Sequence, residues 1–223
     1  MIEVIVDTET TGLSVKDGHR IVEIGCIELD NYMPSPKKFH CYLNPEKKVS
    51  EKALEVHGYT DEFLSTKKKF NEIADNFLNF IENKKLIIHN AEFDLSHLNN
   101  ELSLLGKKKI KKENVIDTLE LARNKFPGSQ ISLNALCKRF RIDNSKRTQH
   151  SALIDCELLS KVYINLIDQK EQTLNFNAPD LEKFENSLNK VISYSKKIVS
   201  QTEEEVKLHK KFLKVNLKKN FFN

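Results

Sequence analysis

Residues Ile21 to Leu29, I-V-E-I-G-C-I-E-L, constrain the fold of this chain more than any other stretch, because they are mostly apolar on both sides of an alternating pattern. Successive side chains of a strand point to opposite faces, so a strand that is apolar on both must be covered on both. A layered α/β domain meets that demand, and a one-sided sheet does not. The flanking segments agree. Glu3 to Glu9, E-V-I-V-D-T-E, is a β-branched run closed by Thr11-Gly12, and Lys38 to Leu43 is a further strand ended by Asn44-Pro45. The apolar period then changes: Phe70, Ile73, Phe77, Phe80 and Ile81 fall at helical spacing. A strand at Lys85 to His89 and a helix from Phe93 to Leu105, with Leu95, Leu98, Leu102 and Leu105 on one face, follow. Asn114 to Thr118 is a fifth strand, and Leu133 to Phe140 and Ala152 to Ile167 are helical. The expected fold is α/β, with a mixed five-stranded sheet flanked by helices and its first three strands in an antiparallel meander.

The body is expected to span residues 1–168, because Gln169 to Pro179 is polar and interrupted. Beyond it, Leu181, Phe184, Leu188, Val191 and Ile198 keep a helical spacing, and an amphipathic piece follows around Glu203 to Leu217. This helical extension, 169–223, has too little apolar surface for a core of its own. It either binds a partner or packs back on the body. Charge adds little: from Gln169 onward 11 lysines and no arginines face 7 acidic residues, leaving 25 basic and 25 acidic residues before it. The net charge of +4 therefore sits in the extension, and any case for a nucleic-acid substrate rests on the site. No run reaches the ~18 to 20 apolar residues of a membrane span, and the N-terminus lacks the marks of a signal peptide. No membrane partner and a cytoplasmic location are expected. Cys26, Cys41, Cys137 and Cys156 show no C-x-x-C spacing, against a disulfide framework or a zinc site.

Asp7-Thr8-Glu9 is the sharpest local feature. Residues two apart on a strand share a face, so the two carboxylates project together and repel unless a cation lies between them. A lone D-x-E more often simply begins a solvated turn. Asp94, in His89-Asn90-Ala91-Glu92-Phe93-Asp94, again follows a strand end, and Asp155 falls in the first turns of a helix that Ser151 could cap. Taken alone, His150 is a surface or capping histidine and Asp155 a favourable helix N-terminal charge. Together, four acids and a histidine at element ends are what a hard-cation oxygen site needs.

In this order, D-T-E-T-T-G (7–12), H-N-A-E-F-D (89–94) and H-x-x-x-x-D (150–155) resemble the three motifs of the DEDDh exonucleases, which have a ribonuclease H-like fold. G-H-R-I-V-E-I-G (18–25), V-H-G (56–58), D-E-F-L (61–64), L-I-I-H-N-A-E-F-D (86–94), F-P-G-S (126–129) and L-C-K-R-F (136–140) are similar to the epsilon subunits of bacterial DNA polymerase III. The resemblance implies that Asp7, Glu9, Asp94 and Asp155 hold two divalent cations and that His150 is the general base. Carboxylate ligation suits Mg²⁺ or Mn²⁺, and a histidine titrating near neutrality can take the proton of an attacking water. It further implies a proofreading 3′→5′ exonuclease acting on single-stranded or mispaired DNA 3′ ends, with Asp7, Glu9 and Asp155 touching substrate as well as metal. Thr10, Leu13, His57 and Asn90 would border the terminal nucleotide, although His57 equally suits a core position before a glycine turn. One departure stands out. Lys52 precedes Ala53 where the family often has Glu. The implied partner of the extension is the polymerase (alpha) subunit, and Gln172 to Phe176 resembles a sliding-clamp-binding peptide, a five-residue match that chance also produces.

Two other functions share these features. A DEDDh ribonuclease trimming RNA 3′ ends would carry the same acids and histidine, and a non-catalytic binding subunit would keep the fold without needing them all. The lysine runs at 67–69, 107–109 and 111–112 are either solvated surface or phosphate contacts.

Overall fold

The computed structural model divides the chain into two compact units, Met1–Thr173 and Leu174–Asn223. It describes residues 1–147, 149–168 and 201–216. Unit one is a five-stranded sheet in the order β3-β2-β1-β4-β5. Strands β1 (Ile2–Thr10), β2 (Ile21–Asp30) and β3 (Met33–Tyr42) pair antiparallel, while β4 (Lys85–Ile88) lies parallel to β1 and β5 (Val115–Asp117) parallel to β4. The third strand starts five residues earlier than its sequence pattern suggests. Pro34 and Pro36 hide it from a propensity reading, yet β3 is the sheet's outer strand, where a missing N–H is tolerated.

Helices cover both faces, as the doubly apolar β2 requires. Val4 and Val6 of β1 with Ile24 and Cys26 of β2 pack against α3 (Phe70–Ile81) and α4 (Ala91–Leu104). The alternate residues Ile5, Ile27 and Leu29 pack against α5 (Thr118–Lys125), α6 (Leu133–Phe140) and α7 (Ala152–Leu166). Asp7 and Glu9 continue the second set, so β1 aims both carboxylates at the α7 side. The short helices α1 (Glu51–His57) and α2 (Asp61–Ser65) begin at hydroxyl caps, Ser50 accepting from Ala53 N at 3.3 Å and Thr60 from Phe63 N at 3.2 Å.

Helix α7 approaches the sheet where β2 has no side chain. A Cβ at Gly25 would lie 2.5 Å from the carbonyl carbon of Ala152 and 2.7 Å from Leu153 N. Gly25→Ala should therefore push the α7 N-terminus off the sheet and cost about 1–3 kcal/mol in urea unfolding, with a loss of activity, because His150 and Asp155 flank that point. Unchanged stability and activity would show that the contact is slack.

In the second unit the described element is the helix Glu203–Asn216, with Leu208 and Phe212 exposed. The apolar positions expected at Leu181, Phe184, Leu188, Val191, Ile198 and Leu217, and the Gln172 to Phe176 peptide, lie outside the described residues. Among the described residues no helix is long and apolar enough to cross a membrane.

Candidate active site

Three separate pieces of backbone bring the four expected acids to one place. Asp7 and Glu9 stand at the end of β1. Asp94 arrives from the first turn of α4, where its Oδ1 accepts from Thr8 N at 3.0 Å and Thr8 Oγ1 at 2.7 Å. That turn is itself held by Asp117 at the end of β5, whose carboxylate accepts from Asn90 N and Ala91 N, each at 3.0 Å. Asn90 takes a left-handed backbone (φ 68°) that asparagine tolerates better than most residues, and this suffices to explain its type. Asp155 and His150 come with α7. The four acids, His150, His89, Asn90 and Arg147 line one cavity of about 480 Å³.

Ser151 occupies the N-cap position of α7 as expected, but its side chain makes no cap bond. The cap is Glu23 of β2, whose two carboxylate oxygens accept from Ser151 Oγ (3.0 Å) and Ala152 N (2.9 Å). His40 Nε2 at 2.7 Å and Tyr59 OH at 2.8 Å complete its shell. Burial pushes Glu23 up, but these four hydrogen bonds outweigh it and hold the group below the usual carboxylate range. Glu23 is thus a fixed anion pinning the loop that carries His150.

Asp7, Glu9 and Asp94 behave in the opposite way. Burial and then the neighbouring carboxylates Asp94, Asp155, Glu9 and Glu23 raise Asp7 well above its ordinary value. Burial, and then the carboxylates of Asp155, Glu23 and Asp94, push Glu9 up to about 8. Burial lifts Asp94 to about 7 against the hydrogen bonds from Thr8. Ligand atoms of Glu9, His150 and Asp155 lie within 4.8 Å of one another. Buried, mutually repelling oxygen donors fit a hard divalent cation, and among the described residues no cysteine lines the cavity. His150 is held below the usual imidazole value, chiefly by burial and then by the Arg147 guanidinium.

These shifts set a stability prediction. Folded pKa values of about 8 for Glu9 and about 7 for Asp94 exceed the ordinary 4.5 and 3.8, so the folded chain keeps protons that the unfolded chain has already released. The stability they contribute is complete below about pH 4 and is lost as pH rises through about 7 to 8. With chelator present, the melting temperature should fall by several degrees, roughly, over that window, and added Mn²⁺ should cancel the fall. A flat or rising profile in chelator would contradict the electrostatic picture.

A second cavity of about 440 Å³ adjoins the first and shares Glu9 and Phe93 with it. Thr10, Leu13, His57, Lys52 and Ala53 line it, and Leu13 stands 81% exposed at its rim. His57 is 2% exposed, and both its ring nitrogens are used: Nδ1 accepts from Tyr59 N at 3.0 Å, and Nε2 faces Thr10 O at 3.3 Å. It is a wall of this cavity with no nitrogen to spare for a ligand, closer to the core alternative than to a polar contact. Lys52 puts a cation where an acid was expected. Of the lysine runs, Lys69 pairs with Glu46, Lys107 pairs with Asp75, and Lys67 lies 4.0 Å over the Phe63 ring, so surface roles account for these three.

The exonuclease family RNase_T matches residues 4–163. The chain is 46% identical to the DNA polymerase III subunit epsilon of Rickettsia felis over 222 residues, covering 97% of each chain. It is 39% identical to the DNA polymerase III subunit epsilon of Escherichia coli over 230 residues, covering 97% of this chain and 94% of that one. Among solved structures, the nuclease domain of 3′hExo, a DEDDh family member bound to rAMP, superposes with a TM-score of 0.65 at 18% identity, covering 76% of this chain and 92% of that one. That likeness establishes the ribonuclease H-like fold expected from the motifs.

Proposed function

We propose, because this chain belongs to the RNase_T exonuclease family and within it to the DNA polymerase III epsilon subunits, that it removes mispaired nucleotides from DNA 3′ ends as a proofreading 3′→5′ exonuclease. The observation that carries this is the convergence of Asp7, Glu9, Asp94, Asp155 and His150 on one cavity from β1, α4 and the start of α7. Asp7, Glu9, Asp94 and Asp155 would hold Mg²⁺ or Mn²⁺, which when bound supplies Lewis acidity and positive charge at the scissile phosphate. His150 accepts the proton of the attacking water. The new P–O bond forms as the bond to the preceding nucleotide's 3′ oxygen breaks, leaving a nucleoside 5′-monophosphate and a shortened 3′ end. Thr10 and the exposed Leu13 border the terminal nucleotide in the adjoining cavity, with His57 as its wall and Asn90 on the catalytic side.

The same premise supports a partner for the extension. Alignment with the epsilon subunits runs over 94% to 97% of the chain, whereas the family match ends at residue 163 and the 3′hExo nuclease domain covers 76%. The stretch beyond the nuclease body is therefore shared with the polymerase subunits, and we assign it to binding the polymerase (alpha) subunit, with Gln172 to Phe176 as a candidate clamp contact. Truncation after Ile167 should leave mononucleotide release from single-stranded DNA within a few-fold of the full chain, because all five site residues precede it, while co-purification with the polymerase subunit is lost. Loss of activity and thermal stability with partner binding retained would make the extension part of the nuclease itself. The catalytic assignment is tested separately by supplying single-stranded DNA and RNA of one sequence with Mg²⁺. Preferential shortening of DNA from its 3′ end is expected, and preference for RNA would point to the ribonuclease alternative.

A further inference from the structure

Arg147, in the loop between α6 and α7, has no role in the sequence pattern and yet contacts more of the site than any other cation. Among the described residues it is the sole lysine or arginine lining the catalytic cavity. Its Nε and Nη2 donate to the two oxygens of Asp155 at 2.5 and 2.6 Å. Nη2 also lies 2.9 Å from His150 Nδ1, and Nη1 donates to Asn134 Oδ1 at 2.9 Å. The pair is deeply placed, with the Arg147 side chain 7% and the Asp155 side chain 4% exposed. A guanidinium has only donors, so Nδ1 of His150 must act as acceptor here.

A buried ion pair is costly to desolvate, and this one sits among three further carboxylates that attract the same charge. The guanidinium fork covers the oxygens of Asp155 that face it, and a divalent ion placed beside that carboxylate would meet a fixed positive charge a few ångströms away. The two cations compete for one anion. We propose that Arg147 is the internal counter-ion of the metal-free site, a positioning residue that holds Asp155 and His150 in place until a divalent ion displaces its guanidinium. The inference rests on Asp155 being a ligand of that ion, as proposed above. Displacement frees His150 Nδ1 at the same moment, so loading of the ion and release of the general base become one event. Asn134 gives the guanidinium a second partner in α6 that does not depend on Asp155.

The test compares wild-type, Arg147→Gln and Arg147→Lys proteins, reading Mn²⁺ affinity by electron paramagnetic resonance and melting temperature in chelator and in saturating Mn²⁺. Arg147→Gln removes the competing charge and should bind Mn²⁺ tighter by about ten-fold. It should melt below wild type in chelator, where Asp155 loses its partner, and close that gap in Mn²⁺. Arg147→Lys keeps the charge without the fork and should bind Mn²⁺ less tightly than Arg147→Gln. If Arg147→Gln binds Mn²⁺ no better than wild type and melts lower by the same margin in both media, Arg147 is a permanent partner of Asp155 and the proposal fails. If wild type itself gains neither bound Mn²⁺ nor melting temperature, the ion-site assignment fails, and this proposal falls with it.

Discussion

Replacing Asp7 and Glu9 together by alanine is expected to lower mononucleotide release by at least about 10³-fold, because the charge stabilisation that divalent ions supply amounts to several kcal/mol. The fold should survive. Both acids sit at the end of β1, lining a cavity, and their side chains contribute nothing to either apolar cluster. Both are also held well above their ordinary values, by burial first and then by the surrounding carboxylates. Removing them relieves that repulsion, so the double variant should melt at or above the wild-type temperature in chelator at pH 8. Circular dichroism melts and release of labelled nucleotide measure the two halves. A double variant with near wild-type hydrolysis, once contaminating nucleases are excluded, would remove the acids from the mechanism.

His150→Ala should reduce the rate by about 10²- to 10⁴-fold, the usual span for a general base. In the wild-type protein at saturating metal, activity should rise with pH as His150 loses its proton. The sequence alone places that rise across the neutral range. The structure moves it lower, because burial, the larger cause, holds the imidazole below its ordinary 6.5. The ascending limb therefore belongs on the acidic side of about pH 6.5, with a plateau above it. In the alanine variant that limb should flatten. A variant that keeps the full rate and the same limb would assign the proton to another group.

Much of this architecture is legible in the residues, for identifiable reasons. The doubly apolar pattern of β2 demands helices on both faces, and the change of period at Phe70 marks the first long helix, whose observed limits Phe70–Ile81 match the apolar positions. Helices α1 and α2 leave little trace, since five to seven residues hold too few turns for a periodic stripe. At the site, carboxylates at strand ends announce themselves, because charge beside an apolar run needs explanation. Glu23 belongs to that class too, as a charge inside a buried strand, but its four partners come from β3, the segment after α1 and the start of α7. Only the folded chain brings them together. Arg147 gives no local signal at all: it lies in a polar loop, and its meaning comes from where Asp155 and Asn134 are carried by two helices. His57 shows the reverse case, a motif histidine whose nitrogens prove to be spent on the backbone.

The central claim, that these five residues make a metal-dependent 3′→5′ exonuclease, is tested most directly on a 5′-labelled DNA primer carrying a 3′-terminal mismatch. In Mg²⁺ the primer should shorten stepwise from its 3′ end, releasing nucleoside 5′-monophosphates, and chelator should stop the reaction. An unshortened primer, internal cleavage, or release that continues undiminished in chelator would contradict it.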